Sequence, residues 1–234
     1  MNELIEGHTV KRYDGELSHL HYLVLEMGGL VIQQIRDALT AFKEGDVNLA
    51  RKVANRDVEV DRLEVQADEE TVRVIARRCP MGSDLRVVIT VSKSVSDLER
   101  IGDEAVRIAS LVTQMFGGHY NGEASNHLAQ LVRDVDRIGG MALSSIQYAV
   151  ELFDVWDEDK ALKVITSHRE MDGEFQSELR RVMTYIMEDS RNIGYAVSMV
   201  LLAKSLDRIT HHARNLAEYA IFEIKGVDIR ENHD

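Results

Sequence analysis

The sequence predicts an all-α protein made of two tandem three-helix bundles. The chain has 234 residues and one proline, and proline interrupts helices more strongly than any other residue. Apolar residues recur every three to four positions through six long segments, as expected for helices that bury one face. The order of these segments repeats after about 110 residues, which indicates an internal duplication.

The predicted helices form one bundle at residues 14–117 and a second at residues 124–226. They span 14–43, 46–78, 83–116, 124–153, 158–187 and 193–225. The pair Gly28-Gly29 inside the first helix indicates a bend or a close approach of another helix. Asp46 and Ser83 are the predicted N-caps of the second and third helices. The segment 117–126, rich in Gly and Asn, is the predicted linker.

Matching residues in the two halves support the duplication. The second helix of each half aligns with an offset of 111 residues, which pairs Ala50, Val53, Glu59 and Asp61 with Ala161, Val164, Glu170 and Asp172. The third helix aligns with an offset of 108, which pairs Leu98, Arg100, Ile101 and Ala105 with Leu206, Arg208, Ile209 and Ala213.

Composition narrows the functional classes. The net charge of -12 argues against nucleic acid as a direct partner and suits metal cations or basic protein surfaces. Cys79 is the single cysteine and has no internal disulfide partner, which fits a reducing compartment. We find neither a signal peptide nor an apolar run long enough to span a membrane. A cytoplasmic protein that contacts membranes only peripherally is expected.

Two carboxylate pairs face each other in the first half. Asp57 and Asp61 stand four residues apart on the second helix, and Glu99 and Asp103 do so on the third, so each pair shares one helix face. The midpoint in sequence between Asp57 and Asp103 is Pro80, and so is the midpoint between Asp61 and Glu99. An antiparallel hairpin that turns at Pro80 therefore brings all four carboxylates to one height. The neighbouring charged side chains are expected on a solvated face: Arg86, Lys93, Asp97, Arg100, Glu104 and Arg107.

The second half repeats this arrangement with two histidines. Its equivalent residues are His168, Asp172, Asp207 and His211, and both cross-helix pairs are centred between residues 189 and 190. Each replacement of Asp by His keeps a metal ligand, whereas a salt-bridge network would place Lys or Arg opposite an acid. Surface acids and solvated histidines remain the alternative interpretation for both sets.

The ligand types predict different metals in the two halves. Four carboxylates suit hard cations such as Mg, Mn, Ca or ferric iron, and two His with two Asp suit Zn, Mn, Fe or Ni. No catalytic constellation accompanies either set, so a non-enzymatic protein is the leading expectation. A metal-dependent enzyme and a metal-buffering helical bundle remain alternatives, although an enzyme needs a general base that the sequence does not offer.

Several motifs, in order and spacing, resemble the PhoU family of phosphate-signalling regulators. The resemblance covers residues 16–226 and rests on segments 68–70, 76–78, 80–86, 92–93, 97–105, 184–191, 206–209 and 213–218. It implies tandem three-helix bundles, a homodimer, and metal clusters held by (Glu/Asp)-x-x-x-Asp motifs. Where the family usually has Arg-Ile-Gly-Asp-His, this chain has Arg208-Ile-Thr-His-His212. A change of metal type or fewer metal ions is expected at that site.

The resemblance also implies a function. The family represses the phosphate-starvation (Pho) response when phosphate is plentiful, linking the high-affinity phosphate ABC transporter to a membrane sensor histidine kinase. The expectation for this chain is a metal-binding adaptor that negatively regulates the Pho regulon and phosphate uptake.

Overall fold

The computed structural model describes residues 11–117, 126–188 and 193–227, and within these ranges it contains six α-helices and no β-strand. The helices are α1 (Lys11–Glu44), α2 (Val47–Arg78), α3 (Ser83–Phe116), α4 (Asn126–Asp154), α5 (Glu158–Glu188) and α6 (Ile193–Lys225). The predicted all-α class and the predicted helix positions are confirmed. The predicted linker and the turn before α6 lie largely outside the described residues.

Local sequence explains how the first three helices are joined. Gly45 adopts a φ of 65° after α1, and the Asp46 carboxylate accepts hydrogen bonds from the first backbone N–H groups of α2, at 2.9 and 3.0 Å. The predicted Asp46 cap is therefore present. The predicted Ser83 cap is wrong: Gly82 occupies the cap position without a side-chain bond, and Ser83 is already the first residue of α3.

The two bundles pack side by side. Within the first bundle α1, α2 and α3 contact one another, and between the bundles α1 packs on α4 and α3 packs on α6. Contacts of Gly28 with Val150 and of Lys43 with Asp136 show that α1 and α4 are antiparallel. Contacts of Thr90 with Tyr219 and of Glu104 with Arg208 show the same for α3 and α6. An approximate two-fold axis therefore relates the bundles, as expected for a duplication whose halves share one core.

Glycines allow α1 and α4 to approach closely. A Cβ atom at Gly28 would lie 2.7 Å from Val150 Cγ1, and one at Gly139 would lie 2.5 Å from Leu39 Cδ2. The offset of 111 carries the first contact onto the second, so the two contacts are equivalent under the approximate two-fold axis. Of the two explanations for Gly28-Gly29, the structure supports the close approach of another helix.

Charged residues, rather than solvent, cover part of the α3 surface. Asp97 and Glu104, expected on a solvated face, are only 2% and 5% exposed. His212 Nδ1 lies 2.7 Å from Asp97 Oδ1, and Arg208 Nη1 donates to Glu104 Oε1 over 2.9 Å. The expectation fails for these two residues because α6 from the second bundle covers them, and its Arg208 guanidinium and His212 imidazole pair with the buried carboxylates.

Candidate metal centre

The hairpin of α2 and α3 brings the predicted carboxylates of the first bundle together. Asp57 and Asp61 lie on α2, and Glu99 and Asp103 lie on α3. The charges of Asp61 and Asp103 both act on Asp57 and on Glu99. Residues at equal distances from Pro80 in the sequence therefore lie at similar positions along the α2–α3 hairpin. The four carboxylates share one electrostatic environment.

Glu64 joins the same group. It lies one turn beyond Asp61 on α2, and the charges of Asp61, Asp68 and Asp103 act on it. The sequence places Glu64 and Asp68 in the acidic row of α2, but the count from Pro80 selects only the pairs centred on the turn. We use the name acidic cluster for the carboxylates of Asp57, Asp61, Glu64, Glu99 and Asp103.

Partial burial and repulsion from neighbouring carboxylates make the negative charges of Asp57, Glu64 and Glu99 costly. Desolvation is the largest cause that raises the pKa of Asp57, Glu64 and Glu99, and neighbouring carboxylates raise each pKa further. The Arg100 charge opposes the rise of the pKa at Glu64 and Glu99, and Gln34 opposes it at Asp57. A bound cation would relieve both the repulsion and the incomplete solvation.

A buried amide completes the surroundings of Asp57. Gln34 on α1 is 1% exposed, and its Nε2 donates to Asp57 Oδ1 over 3.5 Å. Its Oε1 atom is buried without a hydrogen-bond partner. The α3 backbone at Gly102 lies close to this pair, since a Cβ there would lie 3.4 Å from both Asp57 Oδ1 and Gln34 Oε1. An unsatisfied amide oxygen beside several carboxylates fits the oxygen ligands that hard cations prefer.

In their present conformations, the acidic side chains stay apart. Among the described residues, no three His, Cys, Asp or Glu side chains are close enough to hold one metal ion. Like charges without a cation favour rotamers that separate them, and Glu and Asp rotamers exchange readily. The donor set therefore fits a hard cation chemically, whereas coordination by Asp57, Asp61, Glu99 and Asp103 stays a prediction.

The candidate site of the second bundle is only partly described. The side chains of His168 and Asp172 lie outside the described residues. Asp207 Oδ2 accepts from Lys204 Nζ over 2.6 Å, and the His211 ring lies against the His212 ring with centroids 5.7 Å apart. Burial, followed by the charges of His212 and Arg214, lowers the pKa of His211. A lowered pKa keeps the imidazole neutral, which is the form that binds metals.

The described helices contain no stretch that is long and apolar enough to cross a lipid bilayer.

Comparison with known proteins gives one consistent family. The model of the PhoU domain matches residues 24–112 and again residues 126–220, which confirms the internal duplication. The chain is 39% identical over 228 residues to a phosphate-specific transport system accessory protein PhoU homolog of Pseudomonas putida, covering 97% of this chain and 86% of the relative. It is 34% identical over 226 residues to the accessory protein PhoU of Escherichia coli, covering 97% and 90%.

A solved structure agrees with the sequence comparison. The crystal structure of PhoU from Pseudomonas aeruginosa superposes with a TM-score of 0.85 at 39% identity, covering 92% of this chain and all of that one. The fold, the duplicated domain and the extent of the sequence match all lead to the same conclusion: this chain belongs to the PhoU family.

Proposed function

We propose that this chain is a non-enzymatic regulator of phosphate transport that represses the phosphate-starvation response when phosphate is plentiful. The observation that carries the proposal is the match of nearly the whole chain to relatives named as accessory proteins of the phosphate-specific transport system. The partners that such a regulator would link are the phosphate ABC transporter and a sensor histidine kinase. It would act in the cytoplasm as a homodimer.

In this proposal the acidic cluster binds a cation that serves structure and docking. Asp57, Asp61, Glu64, Glu99 and Asp103 would hold it, and the cation would supply the positive charge that these carboxylates lack. It would join α2 to α3 along the faces that carry the cluster, which fixes the shape of that surface. The His and Asp set of the second bundle would bind a softer metal or fewer ions.

A reporter assay tests the regulatory role. A strain that lacks this chain, with an alkaline-phosphatase reporter under phosphate-starvation control, is grown in high phosphate. We expect the reporter to be active in the deletion strain and repressed again when the chain is supplied from a plasmid. Repression that persists in the deletion strain would sink the proposal.

Metal analysis tests the role of the cluster separately. Asp61→Asn and Asp172→Asn variants are purified together with the parent chain, and bound metals are measured by mass spectrometry. We expect each variant to lose the metal of its own bundle only. Identical metal content in all three proteins would remove the acidic cluster from the mechanism without touching the regulatory role. Many ions per chain, rather than a few, would favour metal buffering.

A further inference from the structure

The second bundle contains a surface cavity that the proposed function does not use. It has a volume of about 610 Å³ and lies between α4 and α5. Four aliphatic hydroxyl groups line it, from Ser144, Ser145, Thr166 and Ser167. The volume falls within the roughly 300–1,000 Å³ typical of small-molecule sites. We use the name α4–α5 cavity for it.

Two cationic side chains line the same cavity. Lys163 on α5 is exposed to it and forms no ion pair with any side chain that the structure describes. Arg137 on α4 reaches across to Glu174, and this ion pair fixes the guanidinium at the cavity wall. Because Glu174 offsets part of the Arg137 charge, Lys163 supplies the net positive charge. None of the described residues in the wall is acidic, although the whole chain carries a charge of -12.

The hydroxyl groups are oriented by their own helices. Ser144 Oγ donates to the Gly140 carbonyl over 2.9 Å, and Thr166 Oγ1 donates to the Leu162 carbonyl over 2.8 Å. Ser145 Oγ lies 2.7 Å from Ser167 Oγ. Those carbonyls also belong to the helix ladder, so a hydroxyl can rotate towards a ligand without leaving a carbonyl unpaired. The wall can therefore present several donors to one anion.

The first bundle provides an internal comparison. An offset of 111 places Asp37 and Arg56 at the positions of Tyr148 and Ser167, and Arg56 Nη1 lies 2.8 Å from Asp37 Oδ2. Gln33, at the position of Ser144, donates to Asp37 over 2.8 Å. The first bundle thus fills this place with long side chains that satisfy one another. In the second bundle Ser144 and Ser167 replace the longer Gln33 and Arg56, and a cavity lies beside them.

We propose that the α4–α5 cavity binds a small phosphate-bearing anion. Lys163 and Arg137 would contact the phosphate oxygens, since ammonium and guanidinium groups form charge-assisted hydrogen bonds with phosphate. The hydroxyls would complete its hydrogen bonding. Met141 and Tyr148, on the same wall, would contact an organic portion if the ligand carries one. Free inorganic phosphate and a phosphate monoester share this chemistry, and the test separates them.

Calorimetric titration of the full chain tests the proposal. The protein is first treated with EDTA, so that no metal in the acidic cluster can recruit phosphate. Inorganic phosphate and AMP are then titrated in separate experiments. We expect one saturable site per chain whose affinity falls as the salt concentration rises. The Lys163→Ala variant should bind about 10- to 100-fold more weakly, the loss of a charge-assisted hydrogen bond.

Lys52→Ala is the matched control, because Lys52 is the exposed equivalent of Lys163 in the first bundle. It should bind as the parent chain does, and circular dichroism should show unchanged helicity in both variants. Equal binding of phosphate and AMP supports a site for the anion alone, and tighter binding of AMP supports a contribution from the Met141 and Tyr148 wall. Absence of saturable binding at millimolar ligand, or equal losses in Lys52→Ala and Lys163→Ala, overturns the proposal.

Discussion

The contact of Gly28 with Val150 predicts opposite effects of the same substitution at two adjacent residues. Alanine in place of glycine stabilises a helix interior by about 0.8–1.0 kcal/mol, and this gain applies equally at Gly28 and Gly29. At Gly28 the new Cβ would lie 2.7 and 2.8 Å from the two methyl carbons of Val150, about 1 Å inside the normal contact distance. A Cβ at Gly29 meets nothing within 4 Å.

The difference between the two variants isolates the cost of the contact. Overpacking of this kind costs about 1–3 kcal/mol, and Val150 cannot rotate its way out because both of its methyl groups are close. We expect Gly29→Ala to stabilise the chain by up to about 1 kcal/mol and Gly28→Ala to be about 1–3 kcal/mol less stable than Gly29→Ala. Guanidinium unfolding followed by circular dichroism measures both free energies of unfolding.

A double-mutant cycle completes this test. In a Val150→Ala background the space around Gly28 opens, so Gly28→Ala should lose most of its penalty. Gly139→Ala should cost less than Gly28→Ala, because the clashing Leu39 Cδ2 is the end of a flexible side chain. Equal stabilities of Gly28→Ala and Gly29→Ala would refute the close approach of α1 and α4 at this point.

Three further predictions concern charge and backbone strain. Folding raises the pKa values of Asp57, Glu64 and Glu99, so the metal-free parent chain should gain stability relative to the Glu99→Gln variant as pH falls through the carboxyl range. A bound divalent cation should abolish this relative gain. Thermal unfolding of both proteins at several pH values, with and without Mn²⁺, measures it, and a parent chain that loses stability relative to the variant over that range contradicts it. Glu223→Ala should lower the free energy of unfolding by about 1–3 kcal/mol, because the buried Glu223 carboxylate lies 3.0 Å from His21 Nε2. The control Glu158→Ala removes an exposed ion pair and should change the free energy of unfolding by less than about 1 kcal/mol. Equal losses in the two variants would contradict the buried contact. Cys79 has a φ of 48°, a left-handed conformation that strains residues other than glycine. Cys79→Gly should therefore be about 0.5–1 kcal/mol more stable than Cys79→Ala in the same unfolding assay. A less stable glycine variant would contradict backbone strain at this position.

The sequence predicts most of the helical framework, because its signals are local. Apolar periodicity and the cap at Asp46 depend on residues within a few turns, and the structure reproduces them. The burial of Asp97 and Glu104 could not be predicted in this way, since it depends on α6, which is more than 85 residues away in the chain. The repeat offset of 108 could have indicated this burial, because it identifies α3 and α6 as equivalent helices that can pack on each other across a two-fold axis.

The acidic cluster was predictable in part for the same reason. Counting from Pro80 identifies carboxylates at the same height of the α2–α3 hairpin, and this count requires no knowledge of where α1 packs. The sequence does not indicate Gln34 as part of this site, because Gln34 belongs to α1 and the rotation of α1 against the hairpin is set by packing of the whole bundle. The sequence does not predict the α4–α5 cavity either. A cavity arises where side chains are short in relation to their neighbours, and a periodic pattern of apolar residues does not show such differences.

The buried contact of Asp97 with His212 also determines which bundles can associate. His212 stands 108 positions after Glu104, so two copies of the first bundle joined through the same antiparallel interface would place Asp97 against Glu104. That arrangement would bury a second carboxylate against Asp97, whereas the natural arrangement places an imidazole opposite it. The different residues at the equivalent positions 104 and 212 thus favour contact of the first half with the second half over contact between two first halves.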